Sequence, residues 1–238
     1  MNPFVIFALV FVAAVLLAII IAVLLIKTLG RVQDNQELRR YDYNKIRQDE
    51  FGNYGENCVS VMLNKISSIY KAYVYNNFNF KDEDGFSSNI DHILICRGGV
   101  FVIETKANKG IVYGNADDDN WRVKKKEGLY LKTIENPIKQ NQGHINHLRR
   151  MFVKYPPKMI SVVIFPFATY NGYDSTDTVY DDIDSLYDFI VGKILNEKYS
   201  EQFVERINSQ LTQIEEQYGI TLDEHKKILK EKYNSYFQ

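Results

Sequence analysis

The sequence predicts an α/β domain built on a mixed β-sheet, and three observations carry that prediction. From Tyr54 onward, apolar residues recur at spacings of three, four and seven, the signature of a helix with one buried face. Three later stretches, NIDHILIC, GVFVIETK and MISVVIF, are short apolar runs of the length and continuity of interior strands. The elements then succeed one another as helix, strand, strand, strand, helix, strand, which sets helices against a sheet with both parallel and antiparallel pairs.

The first segment stands apart from that domain. Phe4 to Ile26 carries no charge. As a helix it would measure about 35 Å at ~1.5 Å per residue, enough to cross a hydrocarbon core of ~30 Å. No Lys or Arg precedes it, whereas Lys27, Arg31, Arg39 and Arg40 follow. Residues 4–26 are therefore expected to contact the lipid bilayer as one transmembrane helix, with the N-terminus outside and the main domain cytoplasmic. A cleaved signal peptide would need a basic leader that Met1 to Pro3 does not supply. Residues 27–52, dense in charge and amide, read as a juxtamembrane linker.

In the first helix of the domain, Val59, Met62, Leu63, Ile66 and Ile69 form the apolar face. A short strand is predicted over Tyr70 to Tyr75, followed by an acidic turn (KDEDG). Asn89 to Cys96 and Val100 to Lys106 flank Arg97-Gly98-Gly99, a glycine-bearing connection that predicts an antiparallel hairpin. Ile111 to Trp121 reads as an irregular excursion with Asp117 to Asp119 at a solvated turn, and Trp121 to Lys132 as a strand pair turning at Glu127-Gly128. Asn136-Pro137 then opens a helix, with Asn as N-cap and Pro at its first position. Ile138, Ile145, Leu148 and Phe152 supply its stripe, and Met159 to Phe165 is a central strand. Helices follow over Ile183 to Leu195, Ser200 to Tyr218 and Asp223 to Tyr233, packed on the sheet or gathered as a bundle.

Bulk properties narrow the function. A net charge of −1 and a pI near 6.4 argue against a protein that coats nucleic acid by overall charge, though not against a local site. Cys58 and Cys96 lack the spacing of zinc ligands or of a disulfide framework and read as buried thiols. His144 and His147 lie three apart on one helix with no further ligand in view, so they read as a polar helix face, His144 one turn from Gln140.

The chemistry concentrates at the end of the second run of the hairpin. Glu104 and Lys106 are two apart and project to one face, with Thr105 on the other. The hairpin would bring the start of one strand, Asp91, beside the end of the other. Two carboxylates and an ammonium there are expensive to bury unpaired. A hard divalent cation resolves the repulsion with one or two carboxylates and a backbone carbonyl, and the lysine can then hold a water facing a phosphodiester. A plain salt bridge at the sheet edge is the alternative reading of the same spacing. Glu56 by itself reads equally as an acid favoured by the macrodipole in a helix's first turn.

An acid, then an acid-x-Lys across a hairpin between two helices resembles the PD-(D/E)XK nuclease superfamily, and more closely its nuclease-related domain (NERD) family. The segments that carry the resemblance are Gly55-Glu56, IDHILI, GGVFVIETK, Trp121 and NPIKQN, spread over residues 50 to 166. The resemblance implies a restriction-endonuclease-like αβββαβ core over residues 53–170, followed by a helical segment over 171–238. It implies Asp91 and Glu104 as metal ligands with Thr105 and Glu56 beside them. Lys106 would be the water-orienting base, and Gln140 would reach toward substrate or the lysine. The expected activity is Mg²⁺- or Mn²⁺-dependent hydrolysis of phosphodiester bonds in nucleic acid, DNA foremost. The alternative is a membrane-tethered binding module that keeps the fold without turnover.

Overall fold

The computed structural model describes residues 50–125, 131–172, 178–196 and 198–235. The predicted membrane span and linker, apart from residues 50–52, lie outside these; among the described residues no helix is long and apolar enough to cross a membrane.

A helix over residues 50–69 (α1) leads into β1 (Ala72–Lys81), β2 (Ser87–Cys96) and β3 (Gly99–Thr105). Next come β4 (Gly110–Tyr113), β5 (Asn120–Lys124), β6 (Leu131–Glu135), α2 (Pro137–Met151), β7 (Met159–Ile164), β8 (Ala168–Tyr170) and β9 (Val179–Tyr180). Three helices close the chain: α3 (Ile183–Leu195), α4 (Glu201–Tyr218) and α5 (Leu222–Ser235). The main sheet has the order β1-β2-β3-β7-β9. Its first three strands are antiparallel neighbours, while β7 runs parallel to both β3 and β9. The α/β class and the mixed sheet are therefore as predicted, with β4, β5 and β6 intervening between β3 and α2.

All seven residues of β3 are buried, because helices cover both faces of the sheet at its centre. On one face, α2 and α4 pack Ile145, Leu148, Val204, Ile207 and Leu211 against Ile93, Ile95, Val100 and Val102. On the other, α1 and α3 pack Val59, Leu63, Ile66, Leu186 and Ile190 against Leu94, Phe101, Ile103, Val162 and Ile164. Each fully buried side chain of this size removes about 1.5–3 kcal/mol worth of apolar surface from water. The C-terminal helices pack on the sheet, α4 and α5 both reaching β1 and β2.

Four details differ from the sequence reading. Strand β1 runs to Lys81 instead of ending at Tyr75, because Phe78 and Phe80 point inward while Asn79 between them does not. The segment read as an irregular excursion contains β4, which with β5, β6 and β8 makes a second sheet of order β6-β5-β4-β8 around Val112, Trp121, Val123 and Phe165. Ile69, assigned to the apolar face of α1, is 57% exposed at the helix end. Cys96 is buried as expected, but Cys58 is only half-buried; both are free.

Candidate active site

The hairpin register decides which side chains meet. His92 faces Ile103, and continuing that antiparallel pairing by one residue sets Asp91 against Glu104 on the α2 face of the sheet. At this point Asp91 also leaves the ladder. Its Oδ2 accepts a hydrogen bond from the Thr105 N–H at 2.7 Å. On the other side, the β1 residue across from it, Asn77, adopts φ 52°, a left-handed conformation that asparagine tolerates better than most residues. The end of the hairpin is thus opened around one carboxylate.

Glu104 is buried, 3% exposed, where strand β3 ends. Its Oε1 meets Lys106 Nζ at 2.8 Å. Lys106 is held at both ends: its backbone N–H donates to Ile164 O at 2.9 Å, and its Nζ donates to Gln140 Oε1 at 2.8 Å. The other oxygen of Glu104 lies 3.8 Å from His144 Nε2, a buried atom with no hydrogen-bond partner. Burial holds the His144 imidazole below its ordinary pKa, against the pull of Glu104.

Glu56 enters from the opposite face. Gly55 makes this possible: a Cβ there would stand 2.9 Å from the Ala107 Cβ, so only glycine lets α1 approach the segment just past Lys106. Because α1 is helical from residue 50, Glu56 stands beyond a first turn, and the helix-dipole reading does not apply. Burial first, then repulsion from Glu104, pushes the Glu56 carboxyl above the usual range, with Lys106 opposing. Asp91 is raised further. Part of its residue surface is open, but its carboxyl is walled in by protein. Burial, then Glu104, lifts it well above an ordinary aspartate, despite the Thr105 N–H that favours the charged form.

The structure therefore brings together Glu56, Asp91, Glu104, Lys106 and Gln140, with Thr105 as the backbone donor between them. Three carboxylates face one ammonium, so with every group ionised two negative charges remain uncompensated. That donor set is all oxygen and electrostatically short of cations, which fits a hard divalent ion. Among the described residues no three His, Cys, Asp or Glu side chains are grouped so as to hold a metal ion by themselves.

Helix α2 is positioned by two asparagines. Asn136, fully buried, caps it by accepting from the Ile138 and Lys139 N–H groups, as its sequence predicts. Its Nδ2 also donates to the carbonyls of Asn115, Ala116 and Asp118 in the β4–β5 turn. Trp121 Nε1 donates to the same Asn115 carbonyl. Asn141, which sequence reasoning passed over, donates to the carbonyls of Val102 and Val162 and to Ser161 Oγ, fastening α2 to β3 and β7. The two histidines do not form a polar outer face. His147 is buried and joins Ser88 Oγ at 2.7 Å to Asp82 Oδ2 at 3.0 Å, a structural bridge between α2 and the start of the β1–β2 hairpin.

A cleft of about 460 Å³ opens at the other end of the sheet, beside Gly98, Lys158 and Tyr199. None of the acidic residues lines it, so that cavity is not the candidate site.

Comparison with known proteins agrees with this geometry. The nuclease-related domain family matches residues 51–166. A Bacillus anthracis protein described only as uncharacterized is 34% identical over 116 residues, which is 48% of this chain and 52% of that protein. The chain thus aligns with about half the length of this relative. No solved structure gives a significant match. Residues 51–166, which contain all five charged and amide residues gathered at the end of β3, match the nuclease-related domain family, whose general kind of fold is PD-(D/E)XK.

Proposed function

We propose that the protein is a divalent-metal-dependent nuclease that hydrolyses phosphodiester bonds, with DNA as its foremost substrate. The observation that carries this reading is the excess of carboxylate at the end of β3: Asp91 and Glu56 are both pushed upward in pKa, and the nearby Lys106 compensates only one of three acids. Asp91 and Glu104 would hold the ion, with Glu56 and the Thr105 carbonyl at its border; Mg²⁺ and Mn²⁺ suit this oxygen set. A bound ion supplies a Lewis acid for the phosphoryl oxygen and a more acidic water.

The remaining work falls to the chain's own groups. Lys106 Nζ, fixed by Gln140, can donate to a phosphate oxygen and orient an attacking water. Gln140 stops the lysine from swinging into solvent. His144 Nε2 is buried beside Glu104 without a hydrogen bond of its own. We also propose that residues 4–26 anchor the domain to a bilayer with the domain on the cytoplasmic side. The support for this is the uncharged stretch and the basic residues that follow it.

The test is cleavage of single-stranded DNA, double-stranded DNA and RNA by the full chain, with Mg²⁺ or Mn²⁺ and with EDTA. Cleavage that needs the metal and disappears in both Glu104→Ala and Lys106→Ala supports the nuclease. Folded protein that cuts none of the three would leave a binding module on a nuclease fold. Cleavage that survives both substitutions would place the chemistry elsewhere.

A further inference from the structure

Beside the acidic cluster lies a group of aromatic rings that the proposed chemistry does not use. Phe51 and Tyr54 stand on α1, three residues apart and hence on one side of the helix, just before Gly55-Glu56. Phe167 rises between them from the β7–β8 connection. Its ring centroid is 4.9 Å from that of Phe51 and 5.5 Å from that of Tyr54, the latter pair stacked within 10° of parallel. Tyr54 is 57% exposed, so one face of its ring is backed by Phe167 while much of the rest is open. Lys109 Nζ sits 4.2 Å over the Phe51 ring, three residues beyond Lys106.

We propose that Tyr54, backed by Phe167 and flanked by Phe51 and Lys109, is a stacking subsite for an unpaired base of a nucleic-acid strand whose backbone passes the acidic cluster at the end of β3. The inference rests on the nuclease reading and narrows its substrate to single-stranded or frayed segments. Three features support it. First, the rings are continuous with the site: the close approach of Gly55 to Ala107 joins Tyr54 and Glu56 on one side to Lys106 and Lys109 on the other. Second, the exposed ring is already held in place by its neighbours, so little side-chain freedom is lost when a planar group stacks on it. Third, the pairing of a π-face with an ammonium matches a base and its adjoining phosphate, and sequence-tolerant strand binders use this combination. In an intact duplex both faces of an interior base are already stacked, so only an unpaired nucleotide presents what Tyr54 can receive.

The test is binding of a short fluorescent single-stranded oligonucleotide by the full chain, in EDTA so that the strand stays uncut. Tyr54→Leu should weaken binding by about 5- to 150-fold, the range expected for loss of one base–aromatic stack. Tyr54→Phe, which keeps the ring, should bind like the parent. A strand of abasic nucleotides should be held equally weakly by parent and Tyr54→Leu, and blunt duplex should not distinguish them. Lys109→Gln provides a second measure independent of the ring: the slope of log affinity against log salt should fall by about 0.7 for the lost phosphate contact. Equal binding of single strands by parent and Tyr54→Leu would overturn the subsite while leaving the nuclease reading in place. Failure of the parent to bind single strands in EDTA would likewise overturn the subsite, whereas the nuclease reading stands or falls with metal-dependent cleavage. Loss of binding to anionic lipid vesicles in Tyr54→Leu, with oligonucleotide binding unchanged, would reassign the rings to a membrane surface.

Discussion

Replacing Asp91 by asparagine should make the metal-free protein more stable while abolishing cleavage. The substitution removes a charge but keeps the acceptor, since the asparagine Oδ1 can still receive the Thr105 N–H that now reaches Asp91 at 2.7 Å. What is lost is repulsion. Facing residues on one side of an antiparallel pair have Cβ atoms ~5 Å apart. Two carboxylates at about 6 Å with an effective dielectric constant of ~20 repel by about 3 kcal/mol. Lys106 offsets part of this, so the expected gain is about 1–2 kcal/mol at about pH 8.

The pH dependence gives the argument its sign. Burial and Glu104 raise the folded pKa of Asp91 above the unfolded value of ~3.9. Between those two values the folded state binds more protons than the unfolded one, so this group's contribution to stability falls as pH rises. Glu56, also raised, acts in the same direction. The advantage of Asp91→Asn should therefore be full above the folded pKa of Asp91 and shrink as pH drops toward about 4, where both states carry the proton. Urea denaturation in EDTA at several pH values measures it, with an unchanged m-value certifying that only stability moved. An asparagine variant that is equally or less stable at about pH 8 would show that Asp91 is not under electrostatic stress, and the case for a cation there would lose its main support.

Two further substitutions test how the site is held. Gly55→Ala gains about 1 kcal/mol of helix propensity but drives a methyl to 2.9 Å from the Ala107 Cβ; overpacking costs about 1–3 kcal/mol. Thermal stability should therefore change little, while displacement of Glu56 should lower cleavage about 10- to 100-fold; unaltered cleavage would mean that α1 need not approach so closely. Asn136→Ala removes the α2 cap, worth about 1–2 kcal/mol, and three hydrogen bonds to half-buried or exposed residues of the β4–β5 turn, at about 0.5–1.5 kcal/mol each. Urea titration should show a loss of about 3–4 kcal/mol, and a loss below about 1 kcal/mol would refute the bridging role.

The parts of this fold that could be read from the sequence are those whose burial is complete. Strands β2, β3 and β7 have helices on both sides, so their residues form unbroken apolar runs, and Asn136-Pro137 marks a helix start by local chemistry alone. The sequence understates strand β1 because asparagines are poor strand formers, and only the tertiary pairing with β2 holds Asn76 and Asn79 extended around the left-handed Asn77. The four residues of β4 are too few to establish a period before their partners are known. Within the site, the pleat alone placed Glu104 beside Lys106, and the short glycine turn placed Asp91 across from them. Glu56 and Gln140 needed the family resemblance, because no local rule says which helices cover the end of a strand. Asn141 carried no signal at all, since a buried amide on a helix looks like a surface one until the carbonyls it meets are known.

The second sheet acquires a purpose from these contacts. Lys106 must be held against Glu104 although nothing local requires it, since a lysine retains most of its freedom at a strand's end. Its backbone is fixed by β7 through Ile164, but its ammonium depends on Gln140. Gln140 in turn depends on where α2 begins, and that start is fixed by Asn136, whose amide is bound by three carbonyls of the β4–β5 turn. That turn is held by the Trp121 indole N–H on Asn115, and the indole is buried within the second sheet's core. The segment between β3 and α2 is thus a brace that carries position from a packed indole to the Lys106 ammonium. Without it, Asn141 would still fasten α2 to the main sheet, but the first turn, where Gln140 sits, would be free to fray. The Asn136→Ala protein should accordingly lose cleavage in greater proportion than the folded fraction it loses.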